Sequence, residues 1–394
     1  MHNIKDINIQ NKRIIIRVDY NVPINNANIT DDYRIVSSIE TINYCLNNNA
    51  SIVLMSHLGR PNGTYNKRYS LKPIYNYINK KINTNVFYSD DCISDDSIIK
   101  SKKLKSKEIH LLENLRFYNE EVENDDVFSK RLSMHADIYI NDAFGTVHRS
   151  HASNVGILKY FDTIAYGFLI SKELKFLLKI VHTPPSPCIV LLGGAKVNDK
   201  IPLINNMLGK VKKILIGGAM SFTFLCALGK NVGSSIVDKE SIKIAKNILF
   251  EAEKYDTKII LPIDVACSTD MNNLEYQVKS IDNLYSNETG YDIGPDTILL
   301  FKSHIKDAKT IIWNGPMGVY EISQYSKGTK EIAKYIANCT INGSTSIIGG
   351  GDISSALKNI NMNNLFTHIS TGGGASLKLM SGEVLPALKG IYEK

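Results

Sequence analysis

Arginines, histidines and glycines that close apolar runs are the residues of this chain best placed to do chemistry. In the first half, the runs 14–18, 52–55, 109–112 and 138–140 stop at the polar clusters DYN, SHLGR, ENLR and NDAFGTVHRSH. These clusters carry Asp19, Asn21, His57, Arg60, Arg116, His148, Arg149 and His151, and Arg34 lies on the segment that follows Asn21. A guanidinium presents planar, forked donors that match carboxylate and phosphate. One such arginine is most simply a surface ion pair. Several of them, closing separate loops, point to a small anion with more than one charged group.

The second half closes its runs with glycine instead: Gly193 and Gly194, Gly217 and Gly218, Gly315 and Gly318, 349–351 and 372–374. Glycine lets backbone approach a phosphate whose charge is then met by main-chain N–H groups at a helix N-terminus. Glycine in such turns also serves conformation alone, so each pair by itself is weak evidence. Lys196 and Lys200 add point charges just after the first pair. Asp352, directly after three glycines, is an oxygen ligand of the hard type that magnesium prefers.

These side chains must be carried by a repeating unit of a short β-branched run, a turn and a longer segment of helical period, which is a βα signature. The later runs are 188–192, 214–216, 258–261, 310–313, 346–348 and 368–369. Continuous apolar runs fit parallel strands covered by helices on both faces better than alternating antiparallel ones. The expected architecture is therefore α/β: two doubly wound, Rossmann-like parallel-sheet domains joined by an interdomain helix, with a cleft between them. Ligands of such sheets bind beyond the carboxyl ends of the strands. The expected division is 1–170, an interdomain helix and hinge at 171–187 ending in the breaker run TPPSP, 188–375, and a C-terminal helix and tail at 376–394.

At 394 residues and 43% hydrophobic, the chain exceeds one ordinary core. No run reaches the roughly 18 apolar residues of a membrane helix, and the opening MHNIKDINIQNKR is too polar for a signal peptide, so a cytoplasmic protein is expected. The six cysteines show neither CxxC pairs nor zinc spacing and are expected to be reduced and buried. The net charge of +7 is divided between basic 100–107 (KSKKLKSK) and acidic 120–126 (EEVENDD), with no sustained basic stripe, which argues against nucleic acid as the primary partner. There is no GxxxxGK[ST], no GxGxxG after the first strand, no HRD followed by DFG, and no GxSxG.

Taken in order, RVDYNVPI (17–24), SHLGRP (56–61), LLENLRF (111–117), NDAFGTVHRSHAS (141–153), GGAKVNDKI (193–201), WNGPMGVYE (313–321), GGGD (349–352) and STGGGAS (370–376) resemble the phosphoglycerate kinase family over nearly the whole chain. The resemblance implies a first domain that binds 3-phosphoglycerate or 1,3-bisphosphoglycerate through Asp19, Tyr20, Asn21, Arg34, His57, Leu58, Gly59, Arg60, Arg116 and Arg149. It implies a second domain that binds ATP or ADP through Gly194, Lys196, Lys200, Gly217, Asn314, Glu321, Gly350, Gly351, Asp352 and Ile353, with Mg2+ on Asp352. It implies a monomer as well. Ile353 departs from the family's Thr or Ser and loses a hydroxyl, while Lys378, Ser381 and Ala387 depart near the C-terminus.

A carboxylate acceptor has a reference pKa of roughly 4 and is ionised at neutral pH, so no general base is needed. Transfer then rests on positioning and charge neutralisation, for which Arg34, Lys196 and Lys200 are the candidate catalytic residues. With acceptor and donor on different domains, closure of the two is expected. Hinge candidates are 171–181 and 372–374.

Overall fold

The computed structural model describes residues 2–272 and 275–389. The chain divides into two compact units, one formed by the described residues up to Lys175 together with those from Val384 onward, the other by Phe176–Glu383. The division falls inside the helix Phe168–His182.

The first unit is built on a sheet of seven strands in the order His2–Asn3, Ile164–Tyr166, Ile138–Asn141, Arg13–Arg17, Ser51–Met55, Ile109–Leu111, Val86–Tyr88. Every pairing in it is parallel. Side chains of a strand alternate between faces, and here both faces are buried. Ile14, Ile16, Ile52 and Leu54 enter one apolar core. Ile15, Val53 and Met55 enter the core on the opposite face. The helix Tyr33–Asn47 covers the first core with Ile35, Ser38, Ile42 and Cys45 at spacings of three and four. Arg13–Arg17 is flanked by Ser51–Met55 and Ile138–Asn141, strands reached in opposite directions, so the loops after all three open around one switch point.

Under the opposite face lies a polar chain that has a single workable direction when its two imidazoles are neutral. His135 Nε2 is 3.0 Å from the Cys92 carbonyl, which can only accept, so His135 Nδ1 accepts from Ser101 Oγ at 2.7 Å. Ser101 Oγ must then accept from His110 Nδ1 at 2.8 Å, and His110 Nε2 accepts from Ser89 Oγ at 2.8 Å. Both rings are fully buried, and with both neutral the chain closes without placing a charge in the core. Burial pushes His110 down to about 3 and His135 down to about 4, the other ring adding to the effect on His110.

The second unit carries a six-stranded sheet in the order Lys258–Ile260, Lys213–Ile216, Cys188–Leu192, Thr310–Asn314, Thr345–Gly349, His368–Ile369, again wholly parallel. Beside it, Asp264–Ser268 pairs antiparallel with both Gln277–Ser280 and Thr289–Ile293, an addition that no apolar run announced. Its last α-helix is Gly373–Met380, whereas Leu385, Ala387 and Leu388 are buried and belong to the first unit. The Ala387 N–H bonds the Val147 carbonyl at 3.1 Å. Of the segment 376–394 expected as a helix and tail, the helical part stays with the second unit while the apolar residues after it find their cover in the first; 390–394 lie outside the described residues. Five cysteines are buried and free, while Cys226, expected to be buried, is half-buried. Among the described residues no helix is long and apolar enough to cross a membrane.

Candidate functional site

In the first unit, the loop after Arg13–Arg17 is anchored by Tyr20. Its ring is fully buried and its hydroxyl lies 3.0 Å from Ser38 Oγ. The residues on either side of it start a chain of contacts. Arg34 Nη1 pairs with Asp19 Oδ2 at 3.0 Å and donates to the Asn21 carbonyl at 3.1 Å. The Asn21 N–H donates to Asp19 Oδ1 at 3.2 Å, and Asn21 Oδ1 accepts the Gly59 N–H at 2.9 Å. The Gly59 carbonyl accepts Arg116 Nη1 at 2.8 Å. Two arginines from distant elements are thus fixed by one continuous network. Asn114 sets the 58–59 loop that links them, accepting from the Leu58 N–H at 3.2 Å and donating to the Leu58 carbonyl at 2.7 Å.

Arg116 is buried, and its Nε has no hydrogen-bond partner. An unmet cationic donor of this kind is costly unless an anion supplies the acceptor. It faces a cavity of about 390 Å³ that is also lined by Arg60, Arg149, His151 and Asn119. Burial holds Arg149 below the usual guanidinium value despite the pull of Asp19, and the crowding of Arg60, Arg17 and Arg34 acts with burial.

Arg17, which sequence reasoning passed over as part of an apolar strand, is 1% exposed and lies behind this face. Its Nε donates to Ser153 Oγ at 2.9 Å, another N–H donates to the Val18 carbonyl, and Nη2 is 3.2 Å from His57 Nδ1. Glu121 completes the support by accepting from Ser153 Oγ at 2.6 Å. A guanidinium can only donate, so His57 Nδ1 accepts and the ring proton sits on Nε2. Burial, then Arg17, Arg149, Arg34 and His151, push the His57 pKa well below its ordinary value. His57 is thus a neutral donor and a poor base. An arginine interrupting an otherwise apolar run was the signal that could have found Arg17.

Two positions expected in this cluster differ. The side chains of Tyr20 and Leu58 lie in the core, so neither is open to a ligand, and what they contribute is the placement of Asp19, Asn21 and Gly59.

In the second unit, the glycine pairs 193–194 and 217–218 do not offer their amides as expected. The Gly193 N–H bonds the Asn314 carbonyl at 2.8 Å, Gly194 that of Pro316 at 2.9 Å, Gly217 that of Leu192 at 2.8 Å and Gly218 that of Met317 at 3.0 Å. These amides are committed within the fold and are not free for phosphate. What the glycines allow is close contact between loops. At Gly315, with φ of +89°, a Cβ would stand 2.4 Å from the Gly193 carbonyl oxygen.

The result is a cavity of about 200 Å³ walled by Gly194, Ala195, Gly218, Ala219, Phe222 and the 316–319 backbone, with Glu321 and Asp352 also lining it. Phe222 and Tyr291 carried no sequence signal, being aromatic residues like those of any core, and Met317 was visible only as part of WNGPMGVYE. Free main-chain donors lie instead at the helix Gly351–Asn359, whose first-turn N–H groups have no intrahelical partner and no side-chain cap. Gly350 precedes it with φ of +111°. Ile353, in that first turn, sends its side chain into the core, leaving only its backbone to a ligand.

Asn314 is 1% exposed, yet neither Oδ1 nor Nδ2 has a hydrogen-bond partner. Its amide faces the 349–350 backbone, since a Cβ at Gly350 would lie 3.3 Å from Nδ2. Lys200 immediately precedes the helix Ile201–Met207 and is half-buried. Burial lowers its pKa, with Asp199 and Asp352 opposing. Lys196 is exposed on the loop before it. A buried unmet amide, a desolvated lysine and open helix N–H groups suit the phosphates of a nucleotide. Among the described residues no three His, Cys, Asp or Glu side chains group to hold a metal. The exposed carboxylate of Asp352 still suits magnesium, which takes one or two protein oxygens and keeps phosphate and water for the rest.

Two parallel-sheet units, one ending in arginines and the other in a glycine-walled pocket, define an α/β phosphotransferase. A family model described as Phosphoglycerate kinase matches residues 4–383. The chain is 48% identical to the phosphoglycerate kinase of Finegoldia magna, with 99% of each chain covered. It is 46% identical to that of Thermosipho africanus, over 99% of this chain and 98% of the relative. The solved phosphoglycerate kinase of Coxiella burnetii matches with a TM-score of 0.86 at 35% identity, covering 98% of this chain and 97% of that one. The chain belongs to the phosphoglycerate kinase family, phosphotransferases with a carboxyl group as acceptor.

Proposed function

We propose that this chain transfers a phosphoryl group reversibly between ATP and the carboxylate of 3-phosphoglycerate, interconverting 1,3-bisphosphoglycerate and ADP with 3-phosphoglycerate and ATP in glycolysis. The observation that carries the reading is the convergence of Arg34, Arg60, Arg116 and Arg149 on one face, where His57 Nδ1 is occupied by Arg17 and Asp19 by Arg34, so neither is a ready base. An alcohol acceptor would need a proton removed; a carboxylate does not.

In this reading residues 1–170 form the acceptor domain and 188–375 the nucleotide domain. Arg60, Arg116 and Arg149 take the phosphate of the acceptor, with Asp19, Asn21 and the Nε2–H of His57 orienting the remainder. Asn314, Lys196, Lys200 and the first turn of Gly351–Asn359 meet the nucleotide phosphates, and Glu321 the ribose. Mg2+, carried by the nucleotide and by Asp352, would neutralise phosphate charge. Arg34, Lys196 and Lys200 stabilise the equatorial oxygens during in-line transfer. Because donor and acceptor lie on separate units, transfer requires closure, with 171–187 as the hinge, and closure excludes water from a hydrolysable anhydride. A monomer acting in the cytoplasm suffices, since one chain carries both faces.

The test is ATP-dependent bisphosphoglycerate formation coupled to a dehydrogenase, with and without magnesium. Activity that survives chelation would remove the metal from the reading, and no activity with 3-phosphoglycerate would remove the substrate. Small-angle scattering should show compaction when both ligands are bound.

A further inference from the structure

Asp292 lies at the inner wall of the pocket of the second unit and has no part in the transfer chemistry described above. It belongs to the strand Thr289–Ile293 and is 4% exposed. Its Oδ2 accepts the Gly328 N–H at 2.7 Å, in the first turn of the helix Lys327–Ile341. Its Oδ1 accepts the Ile293 N–H at 2.9 Å. The third segment that reaches it is the irregular stretch 315–321, which walls the pocket. A Cβ at Gly318 would stand 2.2 Å from Asp292 Oδ1, and one at Gly328 would stand 2.3 Å away.

Strand, helix start and pocket wall therefore meet on one carboxylate, through two glycines that leave room for it. The wall's remaining ties to these neighbours are few. The Val319 N–H bonds the Tyr291 carbonyl at 2.9 Å, and the Met317 N–H bonds Thr329 Oγ1 at 3.0 Å, one on each flank of the Asp292 contact. A buried carboxylate is costly to keep in place for packing alone. Burial pushes its pKa up to about 7 against the opposing pull of the two N–H groups and of Lys327, the charged side chain that bears on it.

We propose that Asp292 is a positioning residue for the nucleotide. It clamps the helix Lys327–Ile341 to the strand Thr289–Ile293 and so fixes the 316–319 wall against which the nucleotide packs. The inference rests on the reading of this pocket as the nucleotide site. Loss of the clamp costs preorganisation of the wall, and that cost falls on nucleotide affinity and not on the acceptor or on the bound reaction.

Steady-state kinetics of the full chain test it. Asp292→Ala should raise the KM for ADP about tenfold or more while kcat and the KM for 1,3-bisphosphoglycerate stay within about twofold. Asp292→Asn, which can keep one of the two acceptor contacts, should fall between. Gly318→Ala should raise the ADP KM by displacing the carboxylate, and much less so in the Asp292→Ala background, a non-additivity that marks direct coupling. If Asp292→Ala does not fold, the Gly318→Ala and Asp292→Asn variants carry the same test. An unchanged ADP KM, or equal losses for both substrates, overturns the proposal. Ala195→Phe, which fills the pocket from an exposed position, separates the two levels. If it leaves the ADP KM unchanged the pocket assignment fails, and if it raises that KM while Asp292→Ala does not, the clamp alone fails.

Discussion

Acid should loosen the first unit through the chain Ser89, His110, Ser101, His135 and Cys92. Burial keeps both imidazoles neutral, and in that state the chain closes with His135 Nδ1 and His110 Nε2 each accepting. Their folded pKa values lie at about 3 and about 4, below the ordinary value. The native state is therefore favoured fully above the unfolded value near 6.5 and loses that advantage as pH falls from there toward 4 and 3. At pH 5 an unfolded ring is roughly 1.5 pH units below its midpoint, so at about 1.36 kcal/mol per unit each ring removes about 2 kcal/mol relative to pH 8. The pair removes about 4 kcal/mol, a large share of the roughly 5–15 kcal/mol of a typical domain.

The assay is pulsed hydrogen exchange across a urea series at pH 8 and pH 5, read on peptides from Ile109–Leu111 and Ile138–Asn141. Those peptides report the first unit, whereas fluorescence of Trp313, the single tryptophan, reports the second. The comparison protein is the double variant His110→Gln, His135→Gln. It should be less stable at pH 8, yet its loss between pH 8 and pH 5 should be smaller than that of the unsubstituted protein by about 4 kcal/mol. His57, also displaced downward by burial, is common to both proteins and cancels. Equal losses in the two proteins would refute the neutral chain.

Three further outcomes bear on the site. Arg34→Ala should lower kcat by roughly 10³–10⁵, as losses of transition-state arginines do elsewhere, and a raised KM with kcat intact would reduce it to a binding residue. Asn314→Ala removes a buried amide without protein partners, so the ligand-free melting temperature should hardly move while the stabilisation by saturating ADP falls, both read by scanning calorimetry. Asp352→Ala should weaken the dependence of activity on magnesium concentration while leaving the binding of 3-phosphoglycerate, measured by titration calorimetry, unchanged.

The parallel sheets were legible because burial on both faces turns each strand into an unbroken apolar run, so 14–18 and 188–192 announced themselves within a residue or so. The antiparallel strand Gln277–Ser280 did not, because it is short and mostly exposed, and QVKS resembles a loop. At the site, charged residue types at strand ends were visible, but the commitments of their atoms were not. Nothing in the spacing showed that the Gly193 and Gly194 amides bond a neighbouring loop, that Leu58 faces inward, or that Arg17 fixes the proton of His57 on Nε2. Such facts depend on which loops meet in space, and an apolar or glycine-rich stretch reads alike whether it lines a pocket or fills a core.

The return of 384–389 to the first unit bears on how the protein is made. A ribosome delivers Phe176–Glu383 before Leu385, Ala387 and Leu388, whose buried places lie in a unit that began to emerge first. The second unit has all its sequence in hand while the first still waits for its last segment. Counted from Lys175, synthesis at roughly 5–20 residues per second makes the first unit wait on the order of ten seconds or more for that segment. Until then the Val147 carbonyl lacks its Ala387 partner, so the earliest-synthesised half of the chain is the last to be completed.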